Sequence, residues 1–116
     1  MRFLIILNDP PYGTERSYNA LRLARSLAAN EGMELRVFLI GDAVGCAVTG
    51  QKTPDGYYNL DTMVRSLARK GASIGCCGTC MDARGITEAT LSEGAHRSSM
   101  DELAEWTLWA EKSITF

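Results

Sequence analysis

The sequence predicts an α/β fold: a three-layer sandwich in which a mainly parallel sheet of roughly five strands is flanked by helices. Three observations carry this reading. Residues 3–7 are a continuous apolar run, as expected for a parallel strand covered on both faces, and residues 35–40 and 72–74 read as a second apolar strand and a short buried one. Between them, apolar residues recur at helical spacing. Strand and helix alternate without a linker or internal repeat, which implies right-handed crossovers and parallel pairing.

Residues 3–7 form the first strand, and Asp9-Pro10-Pro11-Tyr12-Gly13 breaks it. Thr14 is the expected N-cap of a helix carrying Ala20, Leu21, Ala24, Leu27 and Ala28, which residues 30–32 end. Residues 35–40 make the second strand. Residues 41–58, rich in Gly, Thr and Pro, read as a long irregular segment, and loops of that length in small domains are usually functional. Asn59 caps a helix through Leu60, Met63, Val64, Leu67 and Ala68, stopped by Gly71. Residues 72–74 are the third strand. Beyond Gly85, residues 86–91 suggest a short helix and 95–98 a fourth strand. Ser99-Met100-Asp101-Glu102 is a capping-box pattern opening a helix with Leu103, Trp106 and Ala110. Residues 113–116 are a β-prone tail. Trp106 and Trp109 read as core or interface aromatics.

At 116 residues, 46% hydrophobic and 22% charged, the chain fits one domain, 1–116, that can build a core. The net charge of −2 and the dispersed basic residues argue against a nucleic-acid surface. No apolar run approaches the ~20 residues a membrane helix needs, so no membrane partner is expected. The first residues pass into Asn8-Asp9-Pro10 without a signal-peptide core, so a cytoplasmic location is expected. Structural disulfides are rare there, and the four cysteines then read as reactive or metal-binding.

Three of those cysteines, Cys76, Cys77 and Cys80, fall within five positions where the third strand gives way to a helical segment. In open α/β sheets the residues past a strand's carboxyl end form the binding crevice. A thiol at the following helix start meets unpaired N–H groups that favour thiolate. A single cysteine would read as a small buried hydrophobe, but the cluster favours chemistry. Strand alternation places Cys76 in the core and Cys77 on the opposite face. The loops 9–14, 41–58 and 77–84 share one sheet edge and are expected to line a single pocket. Gly75 and Gly78 would admit a second protein's backbone. A Cys77/Cys80 thiol–disulfide oxidoreductase stays open as an alternative. A metal or iron–sulfur module also stays open, but it needs Cys46, Cys76 or His96 to complete four ligands. No resident cofactor or metal is expected.

Asn8-Asp9-Pro10-Pro11-Tyr12-Gly13-Thr14-Glu15, Gly41-Asp42-Ala43-Val44, Cys77-Gly78-Thr79-Cys80 with Arg84-Gly85, and Met100-Asp101-Glu102-Leu103-Ala104-Glu105-Trp106 together resemble the DsrE/DsrF/TusD-like sulfur-relay family. The match covers nearly the whole chain. The resemblance implies a small parallel-sheet fold and homo- or hetero-oligomers, here a homotrimer or homohexamer. It also implies a cysteine that carries sulfane sulfur as a persulfide between donor and acceptor proteins. In the family that cysteine lies seven positions before the arginine of the Arg-Gly pair, which gives Cys77, with Cys80 as a possible resolving thiol. Tyr12, Gly13, Thr14, Gly78, Thr79 and Arg84 are the expected substrate-binding residues.

Overall fold

A computed structural model describes residues 1–116. The elements run β1 (Arg2–Leu7), α1 (Arg16–Ala28), β2 (Glu34–Leu39), α2 (Leu60–Arg69), β3 (Ser73–Cys77), α3 (Gly78–Ala83), β4 (Ala95–Ser98), α4 (Met100–Trp109) and β5 (Lys112–Thr115). The five strands form one sheet in the order β4-β3-β2-β1-β5, and every pairing is parallel. The expected sheet is therefore present, and the tail is its fifth strand, paired with β1.

Strand order fixes the layers. From β1 through β4 the chain steps in one direction across the sheet, so right-handed crossovers put α1, α2 and α3 on one face. The return from β4 to β5 reverses direction and puts α4 on the other. Leu4, Ile5, Leu7, Val37, Phe38, Leu39 and Ile74 are closed off from solvent between these layers, which explains why these strands are mainly apolar. On the α4 side a single large ring, Trp106, does most of the covering. Its Cη2 would lie 3.1 Å from a Cβ on Gly75, and it meets Phe38 edge-on with ring centres 6.1 Å apart. Gly75 thus admits a tryptophan of this chain, not a partner's backbone as expected.

The helix caps separate local from non-local effects. Asn59 accepts from the Thr62 N–H at 3.1 Å, as its position implies. Ser99 accepts from the Glu102 N–H at 3.2 Å, but Glu102 does not complete the capping box; its carboxylate takes the Ser98 hydroxyl at 2.6 Å and His96 instead. Thr14 does not cap α1. Glu15 occupies the cap without a side-chain bond, and the Thr14 hydroxyl donates to Asp9 at 3.0 Å within the loop. Residues 41–58 open with a 3-10 helix, Gly41–Ala47, that buries Ala43, Val44, Cys46 and Ala47. The short helix expected at 86–91 contracts to one 3-10 turn, Glu88–Thr90.

Candidate functional site

β3 delivers Cys77 to the carboxyl edge of the sheet, where Cys77 becomes the cap residue of α3. Cys76 is in the core as expected, but Cys77 is buried too. Cys76 is 0% exposed, and Cys77, on the turn, keeps 5% of its surface open. The Cys77 sulfur lies 3.4 Å from the Thr79 hydroxyl, and Cys80 follows one helical turn on. Cys80 in turn accepts the Gly41 N–H at 3.2 Å. Thus the 3-10 helix after β2 is seated against α3.

The four thiols are not equivalent. Burial pushes Cys46 and Cys76 up to about 12, so both stay protonated. Burial raises Cys77 as well, but hydrogen bonds from Cys80, from the Thr79 hydroxyl and from the N–H groups of both residues outweigh it. They hold this thiol below its ordinary value. Cys80 moves the opposite way, raised by burial and by the proton it shares with Cys77. Two thiols whose environments push them apart form a nucleophile and a proton-holding neighbour.

Arg84 ends α3. Its guanidinium donates to Asp42 at 2.8 and 3.1 Å and to the Cys80 carbonyl at 3.0 Å, tying α3 to the segment after β2. The structure therefore gathers Cys77, Gly78, Thr79, Cys80 and Arg84. Tyr12, Gly13 and Thr14 stand apart from them. The Tyr12 hydroxyl donates to Gln51 at 2.6 Å and accepts the Leu60 N–H at 3.3 Å, latching the loop onto α2. Gly13 and Thr14 border an open depression of about 530 Å³ with Glu15 and Tyr58, which neither cysteine lines. The loops touch, through Gly41 and Cys80 and through Asp9 and Cys46, but they pack against one another where a shared pocket was expected.

Arg97 and Asp82 complete the site, and sequence reading did not bring them together. Arg97 leaves β4 beside Cys76 in register and grips Asp82 of α3 with two bonds, 2.8 and 2.9 Å. A Cβ on Gly78 would lie 2.9 Å from this guanidinium and from the Ser98 carbonyl, so Gly78 serves the chain's own packing. A charged residue on a short strand beside the cysteine strand was the available signal. No three His, Cys, Asp or Glu side chains gather as a metal site would require, so Cys46, Cys76 and His96 do not converge with the Cys77/Cys80 pair.

Comparison with known proteins matches the DsrE/DsrF-like family over residues 1–116. Protein YchN of Escherichia coli is 40% identical, the match covering 99% of this chain and 98% of YchN. The YchN crystal structure superposes with a TM-score of 0.94 over the same shares. Sulfurtransferase TusD of Salmonella typhi is 29% identical over the full length of both chains. A protein of unknown function from Methanobacterium thermoautotrophicum, 16% identical with all of both chains covered and a TM-score of 0.79, shares the fold.

Proposed function

Because the chain belongs to the DsrE/DsrF-like family, we propose that it is a sulfur carrier that accepts sulfane sulfur on Cys77 and passes it to an acceptor thiol. Family membership and the sulfurtransferase relative support a sulfur-relay role. The observation that carries the finer reading is the sorting of the thiols. Of the four, Cys77 alone is drawn toward thiolate.

The Cys77 thiolate attacks the terminal sulfur of a donor persulfide. The donor's S–S bond breaks, a new S–S bond forms at Cys77, and the donor leaves as thiolate, with no net oxidation. An acceptor thiolate repeats the exchange in the opposite sense. Thr79, with the N–H groups of residues 79 and 80, holds the charge that returns to Cys77. Arg84 fixes the carbonyl end of Cys80 and so keeps the second thiol in place. Donor and acceptor are proteins on this reading, the assembly is a homotrimer or homohexamer, and the setting is cytoplasmic.

A second fate is open to the loaded site, and the place of Cys80 in the same helical turn as Cys77 favours it. Cys80 can attack the Cys77 sulfur, form a Cys77–Cys80 disulfide and expel hydrosulfide. The two thiols are then oxidised as the sulfane sulfur is reduced, and an external dithiol must reset them. Loading with a low-molecular-weight persulfide separates the two. A carrier retains the persulfide, loses loading in Cys77→Ser, and holds sulfur longer in Cys80→Ser. A disulfide formed on treatment with an oxidised dithiol, with no sulfur retained in Cys80→Ser, would instead make the protein an oxidoreductase.

A further inference from the structure

We propose that Arg97 is a positioning residue for the Cys77 thiolate. Clamped by Asp82 against the bare backbone of Gly78, its guanidinium holds the first turn of α3 and keeps a positive charge at the residue that follows Cys77. The inference deepens the sulfur-carrier reading and rests on Cys77 being the reactive thiol.

Three features of the geometry support it. Arg97 comes from β4, not α3; pairing of Cys76 with Arg97 and of Cys77 with Ser98 sets its side chain at the level of the turn. Its two bonds, at 2.8 and 2.9 Å, hold Asp82 near the end of α3 while the same guanidinium packs on Gly78 at the helix start. The fit against Gly78 is exclusive. A Cβ there would lie 2.9 Å from both Cζ and Nε of Arg97 and from the Ser98 carbonyl oxygen, so any side chain would expel the guanidinium.

The paired Asp82 carboxylate cancels much of the positive charge at long range but lies farther along the helix. Arg97 is stabilised as a cation chiefly by its bond to Asp82, then by the charges of Asp82 and Glu88 and least by that of Cys77. Coupling between two ionisations is reciprocal, so the cation favours the thiolate. Both partners are solvent-accessible, with side-chain exposures of 37% and 62%. An exposed pair of this kind adds little to folding stability. Its effect should fall on the thiol instead.

The test is site-resolved alkylation of the full-length chain with iodoacetamide across pH, reading the Cys77 peptide by mass spectrometry. In Arg97→Ala the Cys77 profile should move to higher pH, and its rate at pH 7 should fall about three- to tenfold, a full factor of ten being one pKa unit. Arg97→Lys keeps the charge without the fork and should recover part of the rate. Raising salt should narrow the gap between wild type and Arg97→Ala. An unchanged Cys77 profile in Arg97→Ala overturns the inference while leaving the carrier reading intact. A wild-type protein whose fastest-alkylated cysteine is not Cys77 overturns both.

Discussion

Trp106→Ala should be the most damaging single truncation on the α4 side of the sheet. The ring is 5% exposed. It fills the space left by Gly75, meets Phe38 edge-on, and lies under Arg36, whose guanidinium carbon is 5.5 Å from the ring centre. Truncating a buried tryptophan costs about 3–5 kcal/mol, including the cavity it leaves. The aromatic pair and the cation–π contact fall within that figure. Domains of this size are stable by about 5–15 kcal/mol, so the change removes a large part of the total. At about 4 °C per kcal/mol for a chain of this length, the melting temperature should fall by about 12–20 °C. The assay is thermal and urea unfolding at one fixed protein concentration, because any self-association would make melting concentration-dependent. Glu105→Ala, exposed on the same helix, should stay within about 0.5 kcal/mol. A Trp106→Ala loss below about 1 kcal/mol would refute the claim that this ring pins α4 to the sheet.

Alkaline pH should destabilise the fold through Cys46 and Cys76. Unfolding releases both thiols to ionise near 9.0, whereas in the fold they resist ionisation up to about 12. Their contribution is therefore complete below pH 9 and fades between pH 9 and 12, at up to about 1.4 kcal/mol per pH unit for each thiol. Cys46→Ala/Cys76→Ala should be less stable at pH 8 yet show a flatter decline in that window, and a decline as steep as wild type would contradict the assignment. Light scattering should give three or six times the 12.7 kDa chain mass, and Leu108→Glu, at a side chain 89% exposed on α4, should lower it. A mass of one chain at micromolar concentration would refute assembly.

The sheet was legible in the sequence because its central strands are buried on both faces, which leaves an unbroken apolar run at 3–7 and mainly apolar segments at 35–40 and 72–74, interrupted only by Arg36 and Ser73. The core placement of Cys76 was legible too, whereas the burial of Cys77 beside it was not. Features that depend on distant partners were not. Thr14 has the chemistry of a cap, yet its hydroxyl found Asp9. Glu102 has the spacing of a capping box, yet Ser98 and His96 reached it first. The 3-10 helix at 41–47 has no strong periodicity and is held by burial of Ala43, Val44 and Cys46. Arg97 and Asp82 lie fifteen positions apart and meet only because β4 pairs with β3 in one register. Gly75 and Gly78 invite close approach, and what approaches them was set by tertiary packing.

Sulfur loading tests the central claim most directly. The protein is incubated with a cysteine desulfurase and cysteine, then mapped by mass spectrometry without reductant. One added sulfur atom should appear on the peptide containing Cys77, persist in Cys76→Ala and vanish in Cys77→Ser. Sulfur that maps to another cysteine, or that survives Cys77→Ser, would contradict the account.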